Sequence, residues 1–515
     1  MTLRSRVAKA GISLCVLSAC ATSYLSRAPP SPSTPWRPAT ADPHDFSLAG
    51  EPSLSAPLPD ERATDPQHLY DLPELIDIAE SANPDTRIAW ERARQAALAV
   101  GLAKATYLPT LSALVLGGYT HTFFPVSSLV QSIVGIFPPQ NVPGVSFPVP
   151  PLSATSGHVG VDTFNLLPFL AITWQVLDFG RGAQVDAAER ASVAANDLFT
   201  GAHQKVVFDV TKAYLRLSAA RAQMAVARDA LERTRGTAKA AEARLARGLA
   251  TTLEAVEARR EVAQAEYGVA QTEAGEAAVY TELLATMGVN PLVQLKVAAS
   301  PSRNLPGRLE YDADRYVQIA LKTRPDLQAL HAQRSAAQAQ VSRSQATYLP
   351  RMSVVGTGGA AVLGAKIDGG SWSTTTLPNL GAAVALDWSL FDFGIRDALS
   401  EIARSREVEA EQTMAKLQKQ ATAEVVAAYK EVNATLARYQ AASSLERAAA
   451  IAEDAVTKSY ENGLSTLTEV LSAQKARSLA SAAKEQAFAD ALISATALVF
   501  ASGQLGSAKA VPELQ

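Results

Sequence analysis

Two periodicities divide the chain. Leu170, Ile172, Trp174 and Val176 alternate with Ala171, Thr173 and Gln175. Leu380, Ala382, Val384, Leu386, Trp388 and Leu390 likewise alternate with Gly381, Ala383, Ala385, Asp387 and Ser389. An apolar side and a small or polar side at period two predict β-strands. Elsewhere Val206, Val210, Ala213, Leu217, Ala220, Met224, Ala227 and Leu231 step by four and three, and Ala421, Val425, Ala428, Val432, Thr435, Tyr439 and Ala442 repeat the spacing. Such a seam predicts helices that supercoil on a neighbour, with alanines allowing close approach. No proline falls between Gly182 and Gly248, so at about 1.5 Å per residue this helix reaches on the order of 100 Å. Glycine tolerates positive φ, which predicts a tight turn at Gly248 and a return helix from Glu254 to Met287; Gly463 marks the same turn later.

The pattern is written twice. Asn83-Pro84-Asp85 recurs 241 residues on as Arg324-Pro325-Asp326, and Ala105-Thr106-Tyr107-Leu108-Pro109 recurs at the same offset as Ala346-Thr347-Tyr348-Leu349-Pro350. Trp174 and Asp178-Phe179-Gly180 return 214 residues on as Trp388 and Asp392-Phe393-Gly394. Ala213-Tyr214, Gly248-Leu249 and Gly288 return 215 residues on as Ala428-Tyr429, Gly463-Leu464 and Gly503. The fall in offset leaves the first half about 27 residues longer between its Tyr-Leu-Pro and Asp-Phe-Gly landmarks. That extra length, about 124–157, sets seven prolines among Leu129, Val130, Ile133, Val134, Ile136 and Phe137. It reads either as a cap over a barrel mouth or a packing surface for neighbouring copies, or as a tolerated loop insertion. In each half a short helix leads to a proline at the start of the next helix, to a stop at Leu-Pro, to strands, and through Asp-Phe-Gly into a long helical hairpin.

Charge sharpens this picture. Only 19% of the 515 residues are charged and the net charge is -3, which argues against a nucleic-acid partner. Between Lys104 and Asp178 the one fixed charge is Asp162. Charge-poor alternating segments of roughly ten residues fit transmembrane strands, apolar outward and polar inward; a soluble β-hairpin is the alternative. No run of 18 apolar residues occurs, so no helical span is expected. Four membrane strands cannot close a barrel, and unpaired edges are not tolerated in lipid, so several copies must share one.

Both cysteines, Cys15 and Cys20, lie in the first twenty residues, leaving the rest without an internal disulfide or a cysteine-ligated metal site. Arg4, Arg6 and Lys9 before the apolar run Ala10 to Leu17 read as a secretory signal over 1–19. Leu17-Ser18-Ala19-Cys20 looks like the lipobox of bacterial lipoproteins, in which the cysteine carries lipid. A proline-rich tether is expected over 20–67, the first repeat over 68–301, the second over 302–505, and a tail over 506–515.

The duplicated Tyr-Leu-Pro lead-ins, the Asp-Phe-Gly exits and the two tip turns resemble the TolC-like outer-membrane efflux protein family over roughly residues 70–505. The lipobox adds resemblance to its lipidated branch. The resemblance implies an α+β fold: an outer-membrane β-barrel shared by a homotrimer, four strands per chain, continuous with a long periplasmic α-helical coiled-coil barrel. It implies a passive exit duct working with a periplasmic adaptor protein and an inner-membrane efflux pump. A type I protein-secretion duct and a lipid-anchored structural coiled coil are the alternatives. The family pattern of a tyrosine, a glycine three later and an acid six after that matches Tyr460, Gly463 and Glu469. In the first hairpin Gly248 and Glu254 take the corresponding places. The resemblance therefore implies a ring of Glu469 at a periplasmic aperture and a Tyr460–Glu254 latch. Ser465 and Ser472 stand where some members carry a basic residue and a second acid, which leaves one acidic ring.

No enzyme is expected. The six histidines are scattered without metal-ligand spacing, so no metal site and no cofactor are anticipated. Ser472-x-x-Lys475 and Ser481-x-x-Lys484 read as a solvated helix face, and Gly356-Thr357-Gly358-Gly359 as close backbone packing within a strand.

Overall fold

The computed structural model describes residues 65–125, 158–301 and 304–505, all within one compact unit. The signal segment, Cys20, most of the tether, residues 126–157 of the insert and the 506–515 tail lie outside the described residues. After a two-residue strand β1 (Leu69–Tyr70), the first half runs α1 (Leu72–Ala82), α2 (Pro84–Ala105), β2 (Thr110–Pro125), β3 (His158–Leu177), α3 (Arg181–Ala246) and α4 (Thr252–Met287). A short strand β4 (Lys296–Val297) pairs with β1 in parallel. The second half repeats the order as α5 (Ala313–Thr323), α6 (Pro325–Ala346), β5 (Arg351–Ile367), β6 (Ser373–Asp387), α7 (Ile395–Glu461) and α8 (Leu467–Ala501). The helices match in length: 11, 22, 66 and 36 residues against 11, 22, 67 and 35.

The repeated motifs are joints, and each is built from two of them. At the first joint a short helix ends and a longer one begins against the end of a returning hairpin. Pro84 and Pro325 start α2 and α6, where a missing N–H costs no helical bond. Asn83 Nδ2 donates to Thr286 O at 3.0 Å, and Arg324 Nη1 in the equivalent place donates to Ala501 O at 3.2 Å. Gly288 and Gly503 take φ of 74° and 70°, and a Cβ on either would stand 2.8 Å from backbone of Asn83 or Arg324. The second joint lies between the sheet and the helices. Trp174 Nε1 donates to Tyr107 O at 2.9 Å and Trp388 Nε1 to Tyr348 O at 3.1 Å. The Arg181 guanidinium covers the Tyr107 ring at 4.7 Å and Arg396 covers Tyr348 at 5.0 Å.

The Asp-Phe-Gly turns share a sequence but not a conformation. Asp178 Oδ1 accepts from Gly180 N at 2.9 Å and Asp392 Oδ1 from Gly394 N at 3.3 Å, an aspartate turn in both. Gly180 has φ of -83°, whereas Phe393 and Gly394 have φ of 54° and 87°. Ile395 is an added residue at that point, so Arg396 rather than residue 395 matches Arg181. The rise in offset from 214 to 215 is this insertion, absorbed by two positive-φ residues.

The sheet order is β2-β3-β5-β6, antiparallel throughout. Its strands have 16, 20, 17 and 15 residues, longer than the roughly ten expected. The register sets Leu111, Ile172, Gly356 and Ala382 in one row and Ala113, Leu170, Gly358 and Leu380 in the next, on one face. Val354 and Val384 join Trp174 on that face, and Leu380 is 93% exposed. The opposite face carries Thr110, Ser112, Thr173, Gln175, Ser353, Thr357, Gly381 and Ala383. A Cβ at Gly356 would meet Ile172 Cγ2 at 2.8 Å and one at Gly359 would meet Pro168 O at 2.4 Å, so the glycine-rich run is close backbone packing.

Aromatic residues bracket the apolar band. Trp174 stands at one end and Phe164, packed on Trp372 at 5.1 Å, at the other. Ten residues of strand cover about 34 Å, and at a tilt of about 40° they rise about 26 Å, the height of a membrane-barrel apolar band. The extra strand length lies beyond the outer aromatics. There Asp162 is buried beneath His121 (2.5 Å), Lys366 (3.3 Å) and the Tyr119 hydroxyl.

The helical core follows the predicted seam. Val206, Val210, Ala213 and Leu217 are buried with Leu75, Ile76, Leu283, Leu284 and Met287. Val425 and Val432 are buried with Ala320, Leu436 and Leu498 in the second half. Near the sheet the packing sequence is α2-α3-α6-α7; toward the hairpin tips it is α4-α3-α8-α7. Each layer is thus a row of four elements with two open ends. Exposed apolar side chains mark those ends: Leu98 and Leu102 on α2, Val256 and Tyr267 on α4, and Ile395, Leu399, Ile402 and Ile451 on α7.

Candidate functional site at the helix tips

Both tip turns are built alike. Gly248 and Gly463 have φ of 74°, with open space where a Cβ would stand. Leu249 N bonds back to Arg244 O and Leu464 N to Ser459 O, closing the outgoing helices. Thr251 and Thr466 then cap the return helices through Glu254 N (3.2 Å) and Glu469 N (3.3 Å). Thr-x-x-Glu is the pattern of a capping box, a local signal that marks both helix starts and that the tip motif of tyrosine, glycine and acid does not include. Only the second hairpin completes it: Glu469 Oε2 accepts from Thr466 N at 2.8 Å. The Thr466 backbone N–H, then the Ser465 and Thr466 hydroxyls, hold the exposed Glu469 carboxyl below the ordinary glutamate range. Glu254 is half-buried.

Tyr460 is 7% exposed, packed among Ala238, Ala241, Ala258, Leu467 and Val470. The expected tie from its hydroxyl to Glu254 is not a hydrogen bond here, because Oη is buried without a partner. The physical reason is Arg244. Its guanidinium lies over the Tyr460 ring at 4.7 Å, and Nη1 donates to Tyr460 O at 3.0 Å. Burial pushes the Tyr460 phenol above its ordinary range, the Arg244 cation opposing this and the Glu254 carboxylate adding to it. Arg244 Nε is also buried without a partner. An unpaired buried polar group costs about 1–3 kcal/mol, so the tip is closed around two such groups.

Further polar ties follow the seam between the two hairpins. Gln223 Nε2 donates to Gln486 Oε1 at 2.7 Å and Gln474 Nε2 to Thr237 Oγ1 at 2.8 Å. Between them Glu453, 4% exposed, pairs with Arg477 at 2.8 Å and Arg233 at 3.5 Å. Among the described residues no cluster of His, Cys, Asp and Glu suited to a metal ion occurs. No described helix is long and apolar enough to cross a membrane.

A family model described as outer membrane efflux protein matches residues 152–288 and 316–504, one segment in each repeat. The chain belongs to the outer membrane efflux protein family. Among its relatives, Protein CyaE of Bordetella pertussis is 26% identical over 318 residues, covering 61% of this chain and 59% of CyaE. Outer membrane protein OprJ of Pseudomonas aeruginosa is 28% identical over 241 residues, covering 46% of this chain and 49% of OprJ. The alignments thus span only about half to three fifths of these relatives' own length. The fold is similar to that of the outer membrane protein VceC of Vibrio cholerae, with a TM-score of 0.62 at 21% identity, covering 84% of this chain and 96% of VceC. In this efflux-protein fold, the four strands form the sheet at one end and the hairpins carry Gly248 and Gly463 at the other.

Proposed function

We propose that the chain is one subunit of an outer-membrane exit duct, which passively conducts small molecules or ions delivered by an inner-membrane pump through a periplasmic adaptor. The observation that carries this is the open sheet: four strands with one exposed apolar face, and no further strand beside β2 or β6 among the described residues. In lipid every free N–H and C=O on such an edge costs several kcal/mol, so copies must pair β6 to β2 until the sheet closes. Two copies give eight strands, whose interior is just wide enough for side chains to fill. Three give twelve, the first count that leaves a lumen, and the open helical rows close with the same symmetry. The polar sheet face then lines the lumen. Lipid on Cys20 would anchor the chain in the outer membrane beside the barrel. At the periplasmic end, Gly248 and Gly463 shape the tips, three copies of Glu469 form an acidic ring that favours cations, and Glu254 and Tyr460 flank it.

The test is the mass of the purified oligomer together with its conductance in a planar bilayer. A trimer that conducts ions is the expected result. A non-conducting monomer would return the chain to the structural coiled-coil reading. Palmitate labelling of wild type but not of Cys20→Ser tests the anchor separately.

A further inference from the structure

We infer that Arg244 is the residue that holds the tip of the second hairpin against the first, and so sets how wide the periplasmic end of the duct stands. This rests on the duct reading. Among the polar ties described between the hairpins, Arg244 is the nearest to the tip, four residues before Gly248. It crosses from the end of α3 to the end of α7, residues 216 apart in the chain. Three effects act together there. The guanidinium is attracted to the face of the Tyr460 ring. It donates to Tyr460 O, which already accepts from Gly463 N at 3.0 Å. It also sits at the carbonyl end of a 67-residue helix, where the helix dipole favours a cation.

The surroundings make this contact decisive. α3 and α4 meet the second hairpin through Ala238, Ala241 and Ala258, with Val262 beside them, against Tyr460, Leu467 and Val470. Tyr460 Oη and Arg244 Nε are shut away unpaired, and water would satisfy both if the hairpins parted. The closed tip therefore sets this apolar packing against two groups that favour opening. The Arg244 bridge opposes them. The phenol hydroxyl contributes nothing to the bridge; the ring and the main-chain carbonyl receive the cation.

The experiment is single-channel recording of full-length purified protein in planar bilayers. Arg244→Ala removes a cation–π contact and a charge-assisted hydrogen bond, and shifts the closed-to-open equilibrium by about tenfold. The shift is read as higher open probability or mean conductance, with oligomer mass and helix content unchanged. Arg244→Lys, which keeps a cation, restores most of the closed behaviour. Tyr460→Phe keeps the ring and the carbonyl, loses a group that favours opening, and so opens no more than wild type, while Tyr460→Leu follows Arg244→Ala. Should Arg244→Ala lose its oligomer, Arg244→Met keeps the aliphatic stem and takes its place. Wild-type conductance in Arg244→Ala, or opening of equal size in Tyr460→Phe, overturns the assignment and leaves the duct reading standing. If neither wild type nor any variant conducts, the duct reading itself fails.

Discussion

At the scale of single residues, Glu469 performs two tasks that substitution can separate. Its carboxylate accepts from Thr466 N, completing the cap of α8, and it is the acid expected to face the aperture. A capping box works with Gln as well as Glu. Glu469→Gln should therefore keep the helix start while weakening block of the conductance by multivalent cations. Glu469→Ala should keep the Thr466 hydroxyl bond to the backbone N of residue 469 but lose the reciprocal bond to Thr466 N, and so melt at a lower temperature than Glu469→Gln. Acid is a third probe. The folded-state pKa of Glu469 is depressed by its Thr466 and Ser465 partners. Its contribution to stability is therefore complete above the unfolded glutamate value and is lost as pH falls through the lower folded value. A ring of Glu469 would keep its charge over the same interval, so cation block titrated against pH should persist below the ordinary glutamate range. Block that vanishes at the free-glutamate pKa would mean that the carboxylate has left Thr466.

At the scale of elements, the glycines that end the helices differ in what surrounds them. Gly463 and Gly503 share a positive φ, but only Gly503 faces backbone, with Arg324 N 2.8 Å from where a Cβ would stand. Alanine at 463 should cost only the backbone penalty, about 1 kcal/mol. Alanine at 503 must also push α6 away from α8, so it should lower the thermal midpoint clearly more; equal midpoints would argue against the joint. These joints are legible in the chain because each motif recurs and each is local. The helical seam is legible for the same reason, since heptad spacing needs no distant partner. Glu453 and Arg244 carry no such signal, because their partners lie on other helices and no spacing rule reaches them. The tip pattern brings Tyr460 and Glu254 to the same end of the hairpins but says nothing of Arg244, which arrives from α3 and occupies the ring. The strands outrun the expected length because alternation marks only the apolar band. Beyond it the residues on that face become polar and aromatic at Tyr119, His121 and Asp162, while the hydrogen-bond ladder continues. Breaking the Glu453 network is a further prediction at this scale. Glu453→Ala would leave Arg477 without its 2.8 Å partner and Arg233 with Asp229 alone. Both arginines keep some contact with solvent, so the loss should be roughly 2–3 kcal/mol, below the range for a fully buried pair, and visible in thermal melts followed by circular dichroism.

At the scale of the whole assembly, the open ends of the rows determine whether a duct forms. α2 runs directly into β2, and α7 follows directly from β6, so both helices border the unpaired edge strands at the same level. Leu98 and Leu102 lie one turn apart on α2, and Ile395, Leu399 and Ile402 lie at one-turn steps on α7. All five are exposed in the single chain, and closing β6 of one copy onto β2 of the next would bring the two stripes together. Leu102→Glu or Ile402→Glu would then place a carboxylate in an apolar contact without disturbing any core described within one chain. The expected outcome is a protein with wild-type helix content that runs as a smaller species in mild detergent and gives no channels. Leu249→Glu, at an exposed tip position, serves as the control and should keep the oligomer. If Leu102→Glu and Ile402→Glu both remained trimers of full conductance, the α2 and α7 stripes would not be the closing surfaces. The apolar side chains on them would then have to be covered by a different partner.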